Sequence, residues 1–201
     1  MRTLGVLLAG GRGARMQSPK PKALVMCAGR SLLARALATL EALCDPVVVV
    51  APADMQLPVP PAQRIADLPG VEGPFAGFVA GMGSRRFEEA LVLAVDMPLV
   101  TPALLTAVRS RRGEAAAVLP APGGVPQPLA AWYAPCAFPT LAAALAAGER
   151  SISRAVMSLS PMLLADAELA AMPGGLEAWL NVNTPDDLAR AEQRIESGRA
   201  A

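Results

Sequence analysis

Three glycines and four cations crowd the start of this chain: Gly10, Gly11 and Gly13 with Arg12, Arg15, Lys20 and Lys22. No acidic residue stands among them; the first in the chain is Glu41. A glycine turn lets backbone approach a ligand closely and cations neutralise it, so the stretch reads as an anion site suited to phosphate. Its spacing fits neither common phosphate loop. No Gly-Lys-Ser/Thr follows Gly10, and Met16 occupies the third glycine place of G-x-G-x-x-G. Pro19 and Pro21 push Ser18 and Lys20 away from helical backbone, so a long, extended, basic loop is expected. Side-chain cations, rather than a helix N-terminus, must then hold the phosphate.

Asp96 is the second candidate. It directly follows the apolar run 91–95 and is restrained by Pro98. In an open parallel sheet the ligand crevice lies beyond the strand C-terminal ends, where Asp96 and the glycine loop would both sit. Mg2+ bound on phosphates keeps waters and takes phosphate oxygens, so one or two protein carboxylates suffice. Thr101 can cap the helix that follows, which frees Asp96 from that task. Asp67 either hydrogen-bonds a nucleoside hydroxyl or starts the loop at 68–73. Asn181 and Asn183 flank Val182 and would point the same way in an extended segment, to serve a ligand or to fix a turn. Asp186 and Asp187 follow Thr184-Pro185, and helix capping explains them.

The chain has no histidine. That excludes Ser-His-Asp and Cys-His mechanisms and any imidazole base or metal ligand. Chemistry must use carboxylates, lysines, arginines, amides and a metal ion. Net charge is +1 without a long like-charge block, so no nucleic-acid surface is indicated. Cys27, Cys44 and Cys136 lack a metal-ligand pattern, and buried reduced thiols in a cytoplasmic protein are expected. The uncharged stretch 129–148 is broken by Pro135 and Pro139, which favours a strand and helix over a membrane span. No targeting segment stands out.

The elements that must position these residues follow from apolar pattern. Buried strands are expected at 4–9, 47–51, 91–95 and 115–119, with a brief edge strand at 65–67 and an extended run at 128–134. Ser31 caps a helix carrying Leu33, Ala36, Leu37, Leu40 and Leu43 on one face. Gly73-Pro74 and Thr101-Pro102 start two more, and further helices are expected at about 138–147, 151–157 and 184–196. Residues 52–62 form an irregular loop and 179–183 a short extended piece. Alternating strands and helices imply an α/β fold of three layers, α/β/α, with a mostly parallel sheet covered on both faces. Aromatics are 3% of the chain, so Leu, Val and Ala must fill the core. At 201 residues without linker composition, one domain is expected.

LAGGRGARM at 8–16, PKAL at 21–24, GPFAG at 73–77, VDMPLV at 95–100 and NVNTPDDL at 181–188 follow the order seen in molybdenum cofactor guanylyltransferases. The chain resembles that family over nearly its whole length. The first motif is shared by nucleotidyltransferases at large. GPFAG, the Gly148-Glu149-Arg150 turn and NVNTP are similar to the guanylyltransferase branch.

The resemblance implies a Rossmann-like nucleotidyltransferase fold in a single domain, with a nucleotide-binding half of about 1–110 and an acceptor half of about 111–201. Leu8, Ala9, Gly10 and Gly11 would hold the nucleotide by backbone, with Arg12 beside them. Lys22 would contact its phosphates, Asp67 the nucleoside, and Asp96 both nucleotide and Mg2+. Lys22, Arg15 and Asp96 would carry catalysis, while Asn181, Asn183 and Arg150 face the pterin phosphate.

Pro21 stands where the family has an acidic residue, and a small insertion makes Lys20 compete with Lys22. Spacing to Gly29-Arg30 favours Lys22. Val50 stands near the place of a family asparagine that contacts nucleotide. The implied reaction is transfer of GMP from GTP to the terminal phosphate of molybdopterin with release of pyrophosphate. A CTP- or sugar-type nucleotidyltransferase and a non-catalytic nucleotide-binding regulator are the alternatives. Implied partners are the two small substrates and transient contacts with proteins that make or receive the cofactor, without nucleic acid or membrane. A phosphate monoester nucleophile is already ionised near neutrality, so a chain without histidine suits this chemistry.

Overall fold

The computed structural model describes residues 2–10, 16, 20–66 and 73–198. The first apolar run forms β1 (Thr3–Leu8), buried along its whole length. A small hairpin follows, β2 (Met26–Cys27) with β3 (Arg30–Ser31). Its turn places Ala28 and Gly29 at positive φ, 44° and 76°. Next come α1 (Leu32–Glu41), β4 (Val47–Ala51), β5 (Arg64–Ala66), α2 (Pro74–Gly83), β6 (Glu89–Ala94) and α3 (Pro102–Ser110). The rest comprises β7 (Ala117–Pro120), β8 (Ala130–Tyr133), α4 (Ala137–Ala146), α5 (Ile152–Met157), β9 (Met162–Leu164), α6 (Asp166–Ala170) and α7 (Pro185–Glu196).

Capping chemistry sets the helix starts as the sequence implies. The side chains of Ser31, Thr101 and Thr184 accept from the backbone N–H of Ala34, Leu104 and Asp187, the third residue inside each helix. Pro74, Pro102 and Pro185 occupy the first helical position, where a missing N–H costs nothing.

Seven strands form one sheet in the order β5-β4-β1-β6-β8-β7-β9. The run β5-β4-β1-β6 is parallel, β8 is antiparallel to both β6 and β7, and β9 is parallel to β7. The sheet is therefore mostly parallel, with β8 reversed. Strand alternation divides the core into two layers. Leu4, Val6, Val48, Val50 and Val92 meet Phe75, Phe78 and Met82 of α2 and Leu141 of α4 on one face. Leu7, Val47, Val49, Leu91 and Leu93 meet Leu33 and Leu40 of α1 and Leu104 of α3 on the other. At Gly81 of α2, an added Cβ would lie 2.5 Å from Val6 Cγ1, so this glycine lets the helix approach the sheet.

Several features depart from the sequence expectations. β6 begins at Glu89 rather than Leu91, because the Glu89 charge is satisfied inside the protein. β9 and the five-residue α6 were not expected; Met162 and Leu163 are exposed, so β9 carries no apolar alternation. Leu176–Trp179 is a 3-10 turn, so Trp179 does not belong to an extended piece. Cys136 is exposed, while Cys27 and Cys44 are buried and all three are free. Burial pushes the Cys44 thiol up to about 12, which keeps it protonated and unreactive. Among the described residues no helix is long and apolar enough to cross a membrane.

Candidate active site

The strand ends bring the candidate residues together. Leu8 closes β1 and Ala9 continues it: Val95 N–H donates to the Leu8 carbonyl at 3.0 Å, and Ala9 N–H to the Val50 carbonyl at 2.8 Å. Both residues are buried, and Gly10 is exposed just past the ladder. Asp96 stands two residues beyond the end of the neighbouring strand β6. Its backbone carbonyl accepts from Val182 N–H at 2.8 Å, which ties the C-terminal segment to this strand end. Gly11, Arg12, Arg15 and Asp67 lie outside the described residues.

Lys22 departs from the expected extended basic loop. It opens a 3-10 turn, Lys22–Leu24, entered through Pro21 at φ −50° and ψ 142°. The residue is only 7% exposed, which for a lysine demands partners. Its Nζ donates to Asp96 Oδ2 at 2.8 Å and to Asn183 Oδ1 at 2.7 Å. The cation that has no acidic neighbour in sequence thus finds one 74 positions later. Lys20 is exposed. Lys22 is the lysine the fold delivers to Asp96.

Asp96 Oδ1 is buried and has no hydrogen-bond partner among the described residues. A buried carboxylate oxygen without a donor is costly, and a ligand that supplies positive charge relieves that cost. The donor set fits Mg2+ in this respect. Among the described residues no cluster of three or more acidic, cysteine or histidine side chains could hold a metal. An ion here would therefore take most of its shell from water and phosphate oxygens, which suits Mg2+.

The two asparagines engage different partners. Val182 between them is fully buried, as alternation requires. Asn183 reaches Lys22, whereas Asn181 Nδ2 donates to Gln127 Oε1 at 3.3 Å. Gln127 had no sequence signal beyond its place after a Gly/Pro turn. Arg150 does not enter the Lys22 network; its Nη1 donates to the carbonyls of Leu145 and Glu149, closing the C-terminal end of α4. Asp187 acts as the expected cap and does more. Its Oδ2 accepts from Thr184 Oγ1 at 2.8 Å, Thr184 N–H at 2.9 Å and Asn183 N–H at 3.0 Å. The Thr184 hydroxyl, followed by these backbone donors, holds its carboxyl below the usual range.

Beside Arg150, Glu149 accepts from Arg154 and from the amides of Arg150 and Ser151. The Arg154 hydrogen bond, with those amides, lowers its pKa from 4.5 to about 2. A depressed folded pKa means stability that is present above the ordinary range and lost as pH falls through it. The melting temperature of the wild type should exceed that of Glu149→Gln at pH 6, with the gap closing as pH drops from 4.5 towards 2. A gap that stays constant across this window would remove the carboxylate clamp as its cause.

A cavity of about 400 Å³ opens between Leu99, Trp179, Leu180 and Arg190. Lys22, Asp96 and Asn183 do not line it, so volume and convergent polar chemistry disagree about location. The chemistry locates the site, because charge at the parallel strand ends is what a phosphate ligand needs.

Comparison with known proteins places the chain in a family. A family model described as the MobA-like NTP transferase domain matches residues 5–161. A probable molybdenum cofactor guanylyltransferase of Chloroflexus aggregans is 35% identical over 189 residues, covering 92% of this chain and 90% of that protein. The crystal structure of molybdopterin-guanine dinucleotide biosynthesis protein A from Archaeoglobus fulgidus superposes with a TM-score of 0.79 at 28% identity, covering 96% of this chain and 99% of that one. A 2-C-methyl-D-erythritol 4-phosphate cytidylyltransferase from Thermus thermophilus superposes at 0.73 with 20% identity, covering 98% and 100%, and speaks for the fold alone. The chain therefore belongs to the MobA-like NTP transferase family, in its molybdenum cofactor guanylyltransferase branch, and is a nucleotidyltransferase enzyme.

Proposed function

We propose that this enzyme transfers GMP from GTP to the terminal phosphate of molybdopterin and releases pyrophosphate. The observation that carries the proposal is the meeting of Lys22, Asp96 and Asn183 at the strand ends. The relatives' names supply the substrates. In the reaction a terminal phosphate oxygen of the acceptor attacks the α-phosphorus of GTP. The new P–O bond forms as the bond from that phosphorus to the bridging oxygen breaks, and pyrophosphate leaves with the electron pair. The attacking oxygen carries no proton near neutrality, which supports a site without a base.

The protein's work is then positioning and charge compensation. Lys22 places an ammonium at the phosphates, and Asp96 fixes that ammonium. Arg12 and Arg15 add charge from the glycine loop in this proposal, and Asp67 holds the nucleoside. Asp96 Oδ1 is the protein oxygen that would hold Mg2+, which when bound neutralises phosphate charge. Asn181, Asn183 and Arg150 are assigned to the acceptor side. The protein is proposed to work in the cytoplasm, a reading supported by its buried free thiols, and to contact proteins that make or receive the cofactor.

Pyrophosphate release from GTP and Mg2+, measured with and without molybdopterin, tests the proposal. Release that depends on the acceptor is expected; equal or greater turnover with CTP would overturn the guanine assignment. Lys22→Ala should lower kcat/KM by about 2–4 kcal/mol of transition-state stabilisation, roughly 30- to 1,000-fold. Lys20→Ala should do less, and the reverse order would move the phosphate role to Lys20.

A further inference from the structure

We infer that Asn183, held in place by Asp187, is a positioning residue for Lys22 and so acts on nucleotide binding from the acceptor half of the chain. The inference rests on the proposed role of Lys22 at the nucleotide phosphates. An ammonium has three donors on a flexible stem, and fixing such a stem costs rotamer freedom. Two of the donors are already committed, to Asp96 Oδ2 at 2.8 Å and Asn183 Oδ1 at 2.7 Å. Among the described residues the third has no partner, and in this reading it serves phosphate. A carboxylate alone attracts the ammonium without fixing its direction. A second, neutral acceptor turns that attraction into a geometry, because the two bonds together determine where the third N–H points.

Asn183 can do this because its own backbone is fixed. Three consecutive amides are anchored: Val182 N–H on the Asp96 carbonyl, then Asn183 N–H and Thr184 N–H on Asp187 Oδ2. Asp187 thus joins the first turn of α7 to the residue that aims Lys22, a task beyond capping. A second tie runs in parallel. Glu192 of α7 accepts from Ala28 N–H at 3.0 Å, and Arg35 donates to the carbonyls of Cys27 and Ala28 at 2.7 Å each. The segment that carries Lys22 is therefore held at its side chain by the residue leading into the C-terminal helix and at the following hairpin by the helix itself. Among the described residues Asn183 Nδ2 has no partner, so the two assignments of this residue are compatible.

The test is GTP affinity in the presence of Mg2+ and the absence of acceptor, by calorimetry, with circular dichroism melts to verify folding. A residue that touches acceptor alone has no effect on this quantity. Asn183→Ala is expected to weaken GTP binding about tenfold, the scale of one hydrogen bond to a charged group. Asn183→Ser, with a side chain too short to reach Lys22, should match it and serves if the alanine variant unfolds. Lys22→Ala combined with Asn183→Ala should bind no more weakly than Lys22→Ala alone, because both remove one unit. Asp187→Ala should weaken binding in the same direction, and Asp187→Asn, which retains an acceptor oxygen, should recover most of the loss.

Wild-type affinity in folded Asn183 variants overturns the inference and leaves the proposed function standing. Asp187→Ala that melts earlier but binds GTP normally reduces Asp187 to a cap and overturns its part. A wild type that does not bind GTP removes the proposed function and the inference with it.

Discussion

Asp96→Ala is expected to reduce acceptor-dependent pyrophosphate release by on the order of 1,000-fold or more while the protein still folds. The variant removes the partner of the Lys22 ammonium and the unsatisfied oxygen Oδ1 together. Loss of one preorganised charge contact costs about 10²–10³ in rate, and two are lost here. The fold should survive because the tie between β6 and the C-terminal segment uses the Asp96 backbone carbonyl, which alanine keeps. Asp96→Asn separates the contributions. It retains an oxygen to hold Lys22 but lacks the charge for a cation, so it should stay nearly as inactive as alanine. The measurement is turnover beside a thermal melt. Near-wild-type turnover by a folded Asp96→Ala protein would refute the assigned role.

At the other end of the same strand, Glu89→Ala should do the opposite: destabilise by about 3–5 kcal/mol and leave the chemistry of the remaining folded protein intact. Glu89 is 1% exposed and collects three donors. Thr3 Oγ1 and Trp132 Nε1 donate at 2.8 Å each, and Arg109 Nη2 lies 2.5 Å from Oε1. Removing the carboxylate strands a buried indole N–H and a partly buried guanidinium, and that penalty, rather than the net worth of the pair, sets the size of the effect. Glu89 lies seven residues before Asp96, roughly 20 Å away at about 3.3 Å per strand residue. Denaturant unfolding read against turnover per folded molecule decides it. A loss under about 1 kcal/mol would mean that water replaces the carboxylate without cost.

These two acidic residues show what sequence can and cannot carry. Asp96 was legible because it ends an uninterrupted apolar run and precedes a helix that already has its cap. Glu89 was not, because a glutamate beside Glu88 reads as solvated surface. Only the three-dimensional return of Arg109 and Trp132 makes it a strand residue. The same distinction runs through the fold. Strands β1 and β4 were readable from continuous Val and Leu, and α1, α3 and α7 from Ser31, Thr101 and Thr184. β9 was not, since two of its three side chains are exposed and pairing with β7 decides it. At the site, residue types were visible but partnerships were not. Nothing local to Lys22 announces that it is buried, because its acceptors stand 74 and 161 positions away.

That last separation has a consequence for how the molecule comes into being. Strand β1 and the two strands it pairs with, β4 and β6, lie within the first half of the chain. The ammonium of Lys22 acquires its second anchor only after residue 183 has been made. Closing a contact across so much chain is slow compared with local structure. All four strands of the parallel run, β1, β4, β5 and β6, therefore precede in synthesis the residue that supplies the second anchor of Lys22. The ammonium cannot hold both anchors until the segment leading into the C-terminal helix is in place.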